Sequence, residues 1–327
     1  MINLTELIKE NRSSLSPSSI RTYSDNVYKL HQKMYGQKEF EDLQWLKPYD
    51  TVIKFLEENY KSYLSVRNIL NAMIIVLIDN KELENSKISY QNFRDDMNDR
   101  YQKAQEDGVM TDKEQTNWVQ LDEIDAIIAE MNNNINTLDL KLKTGFINVA
   151  NLQLVQDLFL VKFHTVYPLR NDLAETAVVS KKDYNKLSAE DLQNGNYIIV
   201  SPNKVTLHIA NYKTKNVYGS RSFTVDDKHV LKYLRLWLKI SPNPKWLLLN
   251  LRTDEPLNRM QLTQYFLRIF SDKFGKKVST TLLRKIVVST KHGQNIRDLD
   301  ELAFKMCHSR ATQASVYNKI IVQPSVQ

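Results

Sequence analysis

Residues 16–36 are punctuated as one helix, and that pattern sets the class of the first third of the chain. Ser16 can supply a capping oxygen, Pro17 suits a first turn, and Gly36 can end the helix. Between them Ile20, Tyr23, Val27, Leu30 and Met34 recur every three or four positions, which draws one apolar stripe along a helix. Similar spacing predicts helices over about 49–60, 62–79 and 87–104. No strand pattern occurs before residue 110. The first unit, residues 1–110, is therefore expected to be a small all-helical domain.

Residues 105–117 are polar and include Gly108. A linker is expected over 111–118, followed by a second domain over 119–327. A helix should start near Gln120. A long apolar helix should cover 147–166 and end before Pro168, which places Arg170 on the next turn. The pattern then changes. Tyr197-Ile198-Ile199-Val200, Val205-Thr206-Leu207-His208-Ile209 and Ser222-Phe223-Thr224-Val225 are β-rich runs separated by turn signals. They predict a small antiparallel sheet with Lys213 and Lys215 between the second and third strands. Helices should resume at about 227–239, 258–273, 278–290 and 298–306, with a last one carrying Tyr317. The fold class is mainly α with a small antiparallel β-sheet, and no internal repeat is present.

Composition narrows the chemistry. The single cysteine, Cys307, excludes an internal disulfide and a Cys-based zinc site. No Asp/Glu/His cluster has metal-ligand spacing, so neither metal nor cofactor is expected. The longest apolar run, Ala72 to Ile78, is too short to span a bilayer, and the first residues do not read as a signal peptide. These features predict a soluble intracellular protein with no membrane partner. Charge is unevenly spread. Residues 1–110 hold 15 Lys/Arg and 17 Asp/Glu, a net of −2, whereas residues 201–300 hold 19 and 7, a net of +12. Such a concentration of positive charge suits a polyanion, because each neutralised phosphate releases counterions.

Two arginines, a lysine, a histidine and a late tyrosine complete a recognisable order. Arg170 lies in Thr165-Val166-Tyr167-Pro168-Leu169-Arg170, and Arg284 in Thr281-Leu282-Leu283-Arg284-Lys285. His308 opens a His-Ser pair, and Tyr317 follows nine residues later. A guanidinium offers a planar fork that matches two phosphate oxygens. A tyrosine hydroxyl, with a pKa near 10, attacks a phosphodiester only where cations absorb the charge that develops. The order Arg, hairpin Lys, Arg, His, Tyr resembles the tyrosine recombinase (phage integrase) family across most of the chain. Ser16-Pro17-Ser18-Ser19-Ile20-Arg21-Thr22-Tyr23 is similar to the opening of that family's helical core-binding domain, and residues 111–124 to the entry of its α+β catalytic domain.

The resemblance implies a site-specific recombinase or integrase, from a virus or mobile element, that cleaves and rejoins double-stranded DNA through a 3′-phosphotyrosyl intermediate as a tetramer. Tyr317 would be the nucleophile. Arg170, Arg284 and His308 would hold the scissile phosphate. Lys213, or Lys215 in the other hairpin register, would protonate the departing 5′ oxygen. Thr281 stands where the family commonly has histidine; it can hydrogen-bond a phosphate oxygen but cannot act as an imidazole base. The acidic residue usual three positions after the first arginine is Leu173 here, with Asp172 one place earlier. The alternatives are a type IB topoisomerase-like or telomere-resolving enzyme, and a catalytically impaired DNA-binding relative.

Overall fold

The computed structural model describes residues 2–37, 40–106, 108–142 and 147–305. His308 and Tyr317 lie outside the described residues. The chain divides into two compact units, Met1–Val109 and Met110–Gln327.

The first unit is helical throughout its described residues, with α1 at Leu4–Asn11, α2 at Pro17–Tyr35, α3 at Tyr49–Asn59, α4 at Tyr63–Val76 and α5 at Glu84–Glu106. The punctuation of α2 is as its sequence predicts. The Ser16 hydroxyl accepts from the Ser19 amide, and Gly36 closes the helix in the left-handed region at φ +77°. Its Ile20, Val27 and Leu30 are buried. The centre of the unit is α4, where Val66, Ile69, Leu70 and every residue from Ala72 to Val76 are buried. A helix apolar on nearly all sides is surrounded by its neighbours rather than laid on a surface. It packs against α1, α2 and α5.

The second unit opens with α6 at Asp112–Asn117, α7 at Leu121–Leu142 and α8 at Val149–Val166. The segment read as a linker carries α6 because Thr111 and Glu114 form a reciprocal capping box. Leu152, Val155, Leu158–Val161 and Phe163 bury α8 against α7 and α12. Truncating Phe159 to Ala there would cost about 3–5 kcal/mol. The sheet follows, with β1 at Ala177–Ser180, α9 at Lys181–Tyr184, α10 at Ala189–Asn194, β2 at Asn196–Val200, β3 at Val205–Ile209, α11 at Lys215–Tyr218 and β4 at Arg221–Val225.

The strand order is β1-β2-β3-β4. The three expected strands pair antiparallel, Asn196 opposite Ile209 and Ile209 opposite Arg221. The sheet as a whole is mixed, because β1 adds a parallel edge, Ala177 opposite Tyr197. That pairing needs a crossover, which α9 and α10 supply. The four-residue run of β1 is too short to stand out in sequence.

The chain ends, as described, with α12 at Lys228–Ile240, a small hairpin of β5 (Leu249–Asn250) and β6 (Glu255–Pro256), α13 at Arg259–Phe274 and α14 at Thr280–Lys305. The two helices expected at 278–290 and 298–306 are one continuous helix through Gly293. A glycine inside a helix costs only about 1 kcal/mol relative to alanine, too little to break it. Among the described residues, no helix is long and apolar enough to cross a membrane.

Candidate active site

Pro168 ends α8, and the chain turns out of it under firm constraint. The Tyr167 hydroxyl donates to Asp226 Oδ1 at 2.6 Å and accepts from the amides of Asp226 and Asp227 at 2.9 and 3.1 Å. This ties the exit of α8 to the junction of β4 and α12. Arg170 follows as the residue that enters a 3-10 turn, Asn171–Leu173. Its side chain is exposed. Leu173 is fully buried in the core, whereas the carboxylate of Asp172 is the one that feels the charges of Arg170, Arg259 and Arg284.

Asn171 fastens two helices to this turn. Its Nδ2 donates to Thr263 Oγ1 on α13 at 2.6 Å and to the Arg259 carbonyl at 3.0 Å. Its Oδ1 accepts from the Thr280 hydroxyl at 2.6 Å. The start of α14 is thereby pinned beside Arg170, and Arg284 comes one turn later. Lys291, further along α14, donates to the Thr165 carbonyl of α8 at 2.6 Å, a cation at the negative end of that helix.

Arg170 and Arg284, far apart in sequence, come within electrostatic reach of one another and of Asp172. The half-buried Arg284 guanidinium is pushed down from its ordinary pKa by burial and then by the charge of Arg170, with Asp172 opposing both. Burial pushes the Asp172 carboxyl up, against the opposing charges of Arg259, Arg170 and Arg284. Only Arg259 approaches as an ion pair, at 3.9 Å. Among the described residues the side chains of Arg170 and Arg284 form no hydrogen bond and no close ion pair. Three guanidiniums thus lie within electrostatic reach of one carboxylate, and those of Arg170 and Arg284 are uncommitted, so the cluster carries excess positive charge. Such a site is arranged for an anion.

The lysine loop is tied to the same turn. Asn196, the buried first residue of β2, accepts from the amides of Ala210 and Asn211 at 3.0 and 2.8 Å. It donates to the carbonyls of Asp172 and Asn211 at 2.8 and 3.0 Å. Arg259 adds a bond to the Asn211 carbonyl at 2.7 Å. Lys213 lies two residues on, exposed, with no side-chain partner among the described residues. It lines a pocket of ≈ 260 Å³ with Asn194, Asn211, Tyr212, Lys215 and Asn216. Lys215 is differently placed. Its Nζ donates to the Gln193 carbonyl and to Asn194 Oδ1, so it anchors the loop. Thr281 is exposed on α14, three residues before Arg284, and its hydroxyl has no partner among the described residues.

His164 supports the site from below. Its Nδ1–H donates to the Leu160 carbonyl at 3.0 Å, and its ring meets Phe266 edge-on at 4.7 Å. Nε2 lies beside the Arg170 backbone without a hydrogen bond. Burial, opposed by the Leu160 and Arg170 backbone and assisted by Arg284, pushes this imidazole down to about 4. It is neutral at physiological pH.

Asn171, Asn196, Arg259 and His164 carry no motif in the sequence. The nearest signal is Asn258 with Gln261, a capping box that fixes the start of α13 and hence Arg259. No group of three His, Cys, Asp or Glu side chains among the described residues is placed to hold a metal ion.

No model of a known protein family matches the chain, and no curated protein matches its sequence. Solved structures do match. XerH site-specific recombinase bound to difH substrate, in a pre-cleavage complex, superimposes with a TM-score of 0.52 at 12% identity, covering 97% of this chain and 91% of that one. A post-cleavage complex of XerH on palindromic difH substrate gives 0.46 at 12% identity, covering 97% and 80%. With its helical first unit and its small sheet set among helices, the protein has the tyrosine-recombinase fold.

Proposed function

We propose that this protein is a DNA strand transferase, a site-specific recombinase or integrase that cleaves and rejoins duplex DNA through a 3′-phosphotyrosyl link. The observation that carries the reading is the tie of the Arg284 helix to the Arg170 turn through Asn171 and Thr280, which brings the two guanidiniums within electrostatic reach of each other, with the Lys213 loop bound to the same turn by Asn196. The fold neighbour is itself a site-specific recombinase caught on its substrate before cleavage. Arg170 and Arg284 bind the nonbridging oxygens of one phosphate and absorb charge as the phosphorus becomes five-coordinate. His308 gives a further hydrogen bond. The Tyr317 oxygen attacks and gives its proton to solvent water, the bond from phosphorus to the 5′ oxygen breaks, and the Lys213 ammonium protonates the leaving oxygen. Lys213 takes this role over Lys215 because its ammonium is unspent. The covalent link conserves the bond energy, so a second 5′ hydroxyl can reverse the step on a new partner strand. A homotetramer on DNA would carry out a full exchange.

The test is incubation with a nicked suicide duplex bearing the site that the protein selects from a random pool, followed by a denaturing gel. A covalent adduct should form with the parent and be absent from Tyr317→Phe. An adduct that persists in Tyr317→Phe contradicts the assignment of the nucleophile. An adduct undiminished in Arg170→Ala and Arg284→Ala contradicts the site.

A further inference from the structure

We propose that Val217 and Tyr218, exposed at the end of α11 in the connection between β3 and β4, form an apolar wedge that enters the DNA minor groove and opens a base step next to the phosphate held by Arg170 and Arg284. The proposal rests on the strand-transferase reading for its partner, and it assigns that partner a deformation. Val217 is 73% exposed and Tyr218 58%. A single exposed apolar residue on a surface is ordinary. Two adjacent ones at the end of α11, in a braced connection, are a different matter.

The bracing is extensive. The Tyr212 hydroxyl donates to the Gly219 carbonyl at 2.7 Å, closing the loop across its base. The amides of Val217 and Tyr218 donate to Thr214 at 3.1 and 3.2 Å, and that of Gly219 to Lys215 at 2.7 Å. Lys215 is fastened to the carbonyl of Gln193 and to Asn194. Gly219 at φ +66° reverses the chain in a conformation that a side chain would resist. The backbone that carries the two apolar side chains is therefore already ordered, and binding costs little main-chain conformational freedom.

The surroundings indicate what the wedge meets. No Asp or Glu occurs between Asp191 and Asp226, a stretch that holds Lys204, Lys213, Lys215 and Arg221. The Arg221 guanidinium lies over the Tyr218 ring at 5.6 Å. An apolar groove on a protein partner would have to accommodate these cations as well. A duplex takes both, its phosphates meeting the cations and its base step the apolar tip. Proteins that kink DNA use this combination of cationic flanks and an inserted apolar side chain. The Asn196 bonds from Asp172 to Asn211 place the root of the loop at the arginine turn, so the opened step adjoins the reacting phosphate.

The test uses the full chain and the duplex it selects from a random-sequence pool, with 2-aminopurine placed at each step in turn. The parent should raise the fluorescence at one step. The double variant Val217→Ser/Tyr218→Ser should abolish that rise and bind roughly tenfold more weakly, the loss of about one stacked aromatic. Tyr218→Phe should retain the rise, and Lys213→Ala should retain it while losing strand cleavage. Circular dichroism of the double variant should match that of the parent. A rise that survives in the double variant overturns the wedge. So does a concentration-dependent dimer in sedimentation velocity without DNA that the double variant abolishes, which would assign the tip to a second copy of the chain. A Tyr317 adduct with no opened step overturns the wedge alone. An opened step with no adduct overturns the catalytic reading and leaves the wedge standing.

Discussion

Replacing Asn196 should uncouple the Lys213 loop from the arginine turn, and the size of the effect follows from its contacts. The side chain is 5% exposed and makes four hydrogen bonds, two accepted and two donated, all to backbone groups. Its partner Ala210 is fully buried, so water cannot replace the lost bond there. At about 1 kcal/mol for each bond, Asn196→Ala should cost roughly 4 kcal/mol. Asn196→Asp keeps the two accepted bonds and sets a carboxylate against the carbonyls of Asp172 and Asn211, so it should cost at least half as much. Three of the four tryptophans, Trp118, Trp237 and Trp246, belong to the second unit. Urea unfolding followed by tryptophan fluorescence therefore reports mainly on the unit that holds Asn196. Adduct formation on the suicide duplex should fall further than DNA binding, because Lys213 is needed to protonate the leaving oxygen and not to hold the duplex. A stability loss under 1 kcal/mol, or cleavage unchanged in Asn196→Ala, would refute the coupling.

Other perturbations test charges of the second unit, at the site and in its core. Arg268 donates to both oxygens of the buried Asp157 at 2.8 and 3.0 Å, so Arg268→Ala leaves a buried carboxylate without its counter-charge, with Gln153 still donating to it, and should cost about 3 kcal/mol at neutral pH. Burial already pushes Asp157 up, against the opposing Arg268. The deficit should therefore shrink as pH falls and the carboxyl takes up a proton, and a deficit independent of pH in urea titrations would contradict this. His164, lowered from 6.5 to about 4, contributes stability that is fully present above pH 6.5 and lost as pH falls toward its folded value, in all roughly 3 kcal/mol. Its ring resonances should not titrate near pH 6.5 in the folded protein, and His164→Leu should flatten the acid limb of the stability curve. Sulfate should fill the gap between Arg170 and Arg284. A hundredfold excess over its Kd adds about 2.7 kcal/mol, or roughly 5–10 °C in Tm, and Arg170→Ala/Arg284→Ala should lose most of that gain relative to a chloride control.

Periodicity made much of the helical framework legible before any coordinates. Ile20, Val27 and Leu30 recur at the spacing of one helical face, and they are buried. Pro168 announces the end of α8 because it cannot continue a hydrogen-bonded turn into the next residues. The β-rich runs that became β2, β3 and β4 are long enough to be seen, whereas β1 owes its strand state to pairing with β2 and contact with Trp246. Arg170 and Arg284 could be picked out by their place in a known order of residues. Asp172 could be noticed beside the expected acidic position, but Asn171, Asn196 and Arg259 could not, because each is a lone polar residue whose role exists only once distant segments meet. Local spacing also misled at α14, where two helices were expected and one runs through, its residues beyond Val287 mostly exposed and helical without a buried stripe to signal them.

The central claim is that one tyrosine of the sixteen in the chain becomes linked to DNA at a phosphate held by Arg170 and Arg284. Trapping the adduct on the suicide duplex, digesting both protein and DNA, and sequencing the nucleotide-bearing peptide by mass spectrometry tests it directly. A 3′-phosphonucleotide on Tyr317, lost in Arg284→Ala, is the predicted result. The nucleotide on any other residue, or on Tyr317 at full yield without Arg284, would contradict the account.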